Sequence, residues 1–173
     1  LTGNADDSLD WTDGWTGNIQ YLHIKQAGTA GDNAIEADNR EGDENAQPRS
    51  RPTIANMTIV GNPGERAIRL RRGTGGDIFN SRITGSATCI DVSGESLALL
   101  GVEINLASVS FECPTVVDGD NPELQMYLDG APNVTQDGSV PPATTLPGDG
   151  FFEQSDLVGS GLNSWRGAWV FGL

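Results

Sequence analysis

The sequence predicts an all-β fold: a right-handed parallel β-helix, or solenoid, of about four recognisable coils closed by an irregular C-terminal cap. Three observations lead there. Gly accounts for 23 of the 173 residues and hydrophobic residues for only 36%. Such a chain forms a core only if its apolar residues are gathered into short strands between tight turns. They are gathered in this way: NIQYLHI, RPTIANMTIVG and SLALLGVEI are short apolar runs that carry β-branched residues and are bounded by Gly and Asn. The runs also repeat at the spacing of one solenoid coil.

Three segments align without gaps, Ile19–Ile24, Ile54–Ile59 and Ile78–Ile83, and Leu97–Val102 reads as a weaker fourth copy. A second series precedes them: Leu9-Asp10-Trp11, Ile35-Glu36-Ala37, Ile68-Arg69-Leu70 and Ile90-Asp91-Val92. Side chains alternate across a strand, so the apolar members of this series point inward and Asp10, Glu36, Arg69 and Asp91 form an outward column. The first series changes face in its middle, at Tyr21, Asn56 and Asn80, which predicts a bend there. An asparagine ladder at that corner would satisfy turn backbone groups in successive coils. An antiparallel sandwich also makes short strands, but it would not align like residues one coil apart.

Residues 1–112 are thus expected to form the coils, with the polar stretch 39–51 as an inserted loop. Residues 113–173 read as an irregular segment and an aromatic cap of the same domain, since Pro and Gly clusters replace the repeat there. Phe151, Phe152, Trp165 and Trp169 suit a cover over the solenoid end. Trp11 and Trp15 are read first as a packing pair and second as a sugar-stacking platform. Cys89 and Cys113 are one coil apart, so stacking brings them within reach of a disulfide, the bond expected in an oxidising compartment. Two buried free thiols are the alternative.

A net charge of −14 argues against nucleic acid and anionic membrane surfaces as partners. No run approaches the length of a transmembrane helix. The chain opens at Leu1 without an initiator Met, as a mature secreted protein or a fragment would. A solenoid beginning mid-repeat leaves strand edges open. The expected cover is either N-terminal coils of a longer chain or another copy of this one.

The acidic cluster Asp6, Asp7, Asp10 and Asp13, with Asp32, Glu36 and Asp38 one coil later, is the most distinctive feature. Asp6, Asp7, Asp10 and Asp13 are the candidate metal site, with calcium as the ion, because turns supply the carboxylate and carbonyl oxygens that calcium takes. That end is expected to lack a matching arginine. Further along, Glu36 stacks on Arg69 and Asp38 on Arg71, which reads as a ladder of ion pairs. Trp15, Asp10, Glu36, Arg69 and Arg71 are the candidate contacts for a glycan or partner. His23, aligned with Thr58 and Arg82 on an outward position, has no second histidine or free cysteine beside it for a transition-metal site. Arg72–Gly76 lacks the lysine of a phosphate loop and the dinucleotide fingerprint and reads as a coil corner.

The segments ADDSLDWTDGWTGNIQY, GDNAIEADN, PRSRPTIANMTIVG and RLRRGTGGDIFNSRIT resemble a family of bacterial secreted or lipoprotein-like right-handed β-helix proteins, matched over most of residues 4–92. Trp165-Arg-Gly-Ala-Trp169 departs from that family's Trp-Thr-x-Gly-Trp ending. The resemblance implies the fold, further coils before Leu1 and an extracellular address, either secreted or lipid-anchored through a missing N-terminus, and it carries over no catalytic residue. The leading expectation is therefore a non-catalytic extracellular or cell-surface rod that binds itself, a partner or a glycan. The alternatives are a calcium-dependent polysaccharide lyase or glycoside hydrolase, and a carbohydrate-binding module.

Overall fold

The structure is a computed structural model that describes residues 1–28 and 30–161. Its strands are β1 (Leu9–Trp11), β2 (Asn18–Gln20), β3 (His23–Lys25), β4 (Ile35–Ala37), β5 (Thr53–Ala55) and β6 (Thr58–Val60). There follow β7 (Arg66–Leu70), β8 (Gly76–Thr84), β9 (Thr88–Val92), β10 (Ile104–Glu112) and β11 (Thr115–Val117). A 3₁₀ segment spans Gly94–Leu99, and one helix, α1, spans Pro122–Gly130.

The chain passes back and forth between two sheets, and every strand pair is parallel. The first sheet runs β1-β4-β7-β9-β11. In the second, β2 and β3 are halves of one pass and lie on β5 and β6, which lie on the continuous β8 and then β10. Leu9, Ile35, Ile68 and Ile90 stack in register in the first sheet, as do Trp11, Ala37, Leu70 and Val92. In the second, Ile19, Ile54, Ile78 and Leu106 form one stack, and Ile24, Ile59, Ile83 and Phe111 another. Most of these side chains are fully buried in one continuous core, each worth about 1.5–3 kcal/mol of apolar burial. Cys89 and Cys113 are joined by a disulfide with Cα atoms 5.5 Å apart.

The bend falls where the change of face predicts it. Tyr21, Asn56 and Asn80 all have positive φ, at 61°, 52° and 48°, and Ser108 joins them at 56°. The fourth copy lies elsewhere than predicted. Leu97–Val102 belongs to the 3₁₀ segment and the turn after it, and the copy that stacks on β8 is β10. Physically, Glu-Ser-Leu-Ala-Leu-Leu is rich in helix formers and does not alternate. Alternation resumes only at Ile104-Asn-Leu-Ala.

The segment expected to be irregular holds β11 and α1. Asn121 caps the helix by accepting from Leu124 N, with Pro122 in its first turn. Leu124 and Leu128 enter the main core, and the Tyr127 hydroxyl accepts from Leu106 N on the edge strand β10. Helix α1 thus packs at the end of the coils where the aromatic cap was expected. Phe152 lies elsewhere, in a small cluster with Ala55 and Leu146, and Phe151 is exposed. Trp165 and Trp169 lie outside the described residues.

Candidate functional site

The outward column of the first sheet is a closed network of charge. Parallel register sets Glu36 beside Arg69 and Arg69 beside Asp91. Arg69 lies 3.4 Å from Glu36 on one side and 3.4 Å from Asp91 on the other. Arg71 pairs with Glu36 and, at 2.8 Å through Nε, with Asp38. Arg72 reaches Asp38 at 2.6 Å, and Arg66 reaches Asp118 at 3.0 Å and Asp91 at 3.7 Å. The repeat predicts the Glu36–Arg69 and Asp38–Arg71 pairs. Arg66, Arg72 and Asp118 have no predicted role because they lie off the aligned column.

These carboxylates are largely covered, with 15% of the Glu36 side chain and 11% of Asp91 exposed. Burial pushes the carboxyl of Glu36 above its ordinary range despite Arg71 and Arg69 beside it. Burial does the same to Asp91, and neighbouring Asp118 adds to it. The hydrogen bond to Asp38 holds Arg71 more firmly protonated.

The predicted metal cluster separates. Oxygen atoms of Asp6, Asp7 and Asp32 all lie within 4.8 Å of one another, a group of the size that holds a metal ion. Asp32 joins because it occupies the position of Asp6 one repeat later, a signal already present in the Leu9–Ile35 register. Asp10 and Asp13 are outside this group. Asp10 is exposed opposite Glu36, and Asp13 pairs with Arg40 at 2.9 Å. The expected lack of an arginine at this end therefore fails for Asp13. Arg40 belongs to the inserted loop, which a repeat alignment passes over. Asp7 accepts from Asn33 N at 2.8 Å and Nδ2 at 3.1 Å, yet burial, followed by the charges of Asp32 and Asp6, raises its pKa.

Trp15 is half-buried and tilts against Trp11, ring centres 5.9 Å apart, so the two pack together. The Trp11 indole donates to Thr74 Oγ1 at 3.0 Å. His23 keeps its predicted alignment with Thr58 and Arg82 but is half-buried, 3.1 Å from Ser160 Oγ. Burial lowers its pKa.

The outer face of the second sheet carries a feature with no repeat signal behind it. Residues 144–160 cross it as an extended strap. Gln20 donates to Glu153 O at 2.7 Å and accepts from Glu153 N at 2.9 Å. Asn80 does the same with Thr144, at 2.9 Å and 2.7 Å. Asn56 donates to Leu157 O at 2.6 Å and accepts from Gln20 at 3.0 Å. The asparagines thus sit at the predicted corner, but their amides hold the strap backbone rather than turns of successive coils.

With two parallel sheets and a stacked core in place, the family follows. A model of pectate-lyase-like β-helix domains matches residues 1–138. The chain belongs to that family. No curated protein and no solved structure matches it. Pectate-lyase-like β-helix domains include enzymes and non-enzymes, so membership fixes the scaffold and leaves chemistry to the side chains. No helix of the described residues is long and apolar enough to cross a membrane.

Proposed function

We propose that this domain is a non-catalytic extracellular or cell-surface rod, a right-handed solenoid of four coils that binds a partner, a glycan or its own copies. One observation carries the reading: Arg69 and Arg71 are held by Glu36, Asp38 and Asp91. A lyase needs a base and a cation free to meet a uronate, and a glycosidase needs two carboxyls facing an open sugar site. On this face the charges meet one another. The disulfide and the acidic surface support a secreted location.

The test is incubation of the protein with uronate and neutral polysaccharides in the presence of calcium. The expected result is no new reducing ends and no unsaturated product. Steady product release that Glu36→Gln abolishes would replace this reading with the lyase or hydrolase one.

Calcium enters the reading as a structural ion at Asp6, Asp7 and Asp32, where it would relieve the repulsion among three close carboxylates. Its expected sign is a melting temperature raised by calcium, lowered again by EDTA, and insensitive to both in Asp32→Asn. A calcium response equal in the wild type and in Asp32→Asn would remove the ion from this place.

A further inference from the structure

The amides that hold the strap read backbone, and that property is not tied to one chain. Gln20 and Asn80 each offer a donor and an acceptor to a single residue of the strap, as a neighbouring strand would. Gly159 N donates to Asn80 O at 2.7 Å, and Ser160 N to Thr58 Oγ1 at 2.8 Å. Among the described residues the strap's apolar anchorage is a small cluster: Leu146 and Phe152 are buried against Ala55, with Phe79 partly covered beside them. No strand of the two sheets lies within residues 141–161, so lifting this segment breaks no sheet ladder. The strap joins the coils through Ser139-Val-Pro-Pro-Ala143, where Val140 is 56% exposed and two consecutive prolines favour an extended link.

We infer that the outer face of the second sheet is a peptide track, and that straps exchange across it between two copies of this chain. Exchange conserves every contact named above, because the same residues meet in trans. Its opponent is the high effective concentration of the strap in its own chain, on the order of millimolar for a short link. Exchanged dimers therefore accumulate as the protein is concentrated. This inference names the partner within the proposed non-catalytic role. The two fail separately, since product release from polysaccharide would refute the role and leave the track standing.

The experiment uses two full-length chains, one carrying Asn18→Cys and the other Asp149→Cys. These exposed side chains lie 3.4 Å apart where strap meets sheet. After mixing, a short bis-maleimide joins the two chains only where the strap of one lies on the sheet of the other. The expected yield of mixed dimer rises between about 10 μM and about 1 mM protein. Because exchange conserves these contacts, Gln20→Ala and Asn80→Ala in the Asn18→Cys chain leave the equilibrium yield unchanged and speed its appearance after mixing. Should that variant fold poorly, a free peptide of residues 143–160 added to otherwise unaltered chains is the second measurement. The peptide suppresses the cross-link, and a scrambled peptide does not. A yield that ignores concentration, or that neither the peptide nor its scrambled form alters, overturns the inference.

Discussion

The outer faces of the two sheets are closed by different means. On the first sheet, side chains one repeat apart neutralise one another, as Glu36, Arg69 and Asp91 do. On the second, the chain folds back and lies across it, held by the amides of Gln20, Asn56 and Asn80. The first closure is electrostatic, so salt and pH act on it. The second rests mainly on neutral amide hydrogen bonds and a small apolar plug, which respond to competing backbone. The two faces of one parallel β-helix domain are therefore covered in two independent ways.

The comparison breaks first at the core the two faces share. Ile83→Ala empties a fully buried position under the second sheet and is expected to cost about 2–5 kcal/mol in urea unfolding. Both faces should be lost together in a single transition, and a separate early transition for the first sheet would count against a shared core. Asn80→Ala removes both bonds to Thr144, an expected loss of about 1–3 kcal/mol. Limited proteolysis should then cut within residues 141–161 well before the coils.

Arg71→Ala leaves Glu36 and Asp38 with fewer partners on a partly solvated surface. The expected loss is about 1–2 kcal/mol, below that of a fully buried pair, and it should shrink in high salt. The Asn80→Ala loss should not depend on salt. Equal salt dependence in the two variants would erase the distinction between the faces.

The smallest effect is that of pH. Glu36 and Asp91 have folded pKa values raised above their unfolded ones by burial. Such a group contributes stability that is present in full below the unfolded pKa and is lost as pH rises through the folded pKa. The melting temperature is thus expected to climb as pH falls through the raised values toward the ordinary carboxylate range. Glu36→Gln should flatten that slope, as differential scanning calorimetry at several pH values would reveal.

The first face was far more legible in the sequence than the second. Alternation within a strand and one-coil spacing between strands fix which residues are neighbours, so the pairs of Glu36 with Arg69 and Asp38 with Arg71 follow from counting. The same counting reaches Cys89 and Cys113, and it sets Asp32 one coil after Asp6. It fails where the chain leaves the repeat. Arg40 sits in an insertion, Leu97–Val102 carries apolar residues without alternation, and the strap is held by its backbone, which leaves no pattern in its side chains. Gln20 carries no repeat signal for its role, because that role depends on a partner more than a hundred residues away.

The central claim is that the carboxylates of the first sheet are engaged by arginine and closed to ligands. Carbon-detected NMR of the Glu36, Asp38 and Asp91 side-chain carboxyls, titrated with calcium and then with uronate oligosaccharides, tests it most directly. The account predicts that all three signals stay in place while any calcium response is confined to Asp6, Asp7 and Asp32. Saturable shifts at Glu36 or Asp91 on addition of oligosaccharide would contradict it and mark the ladder as a working site.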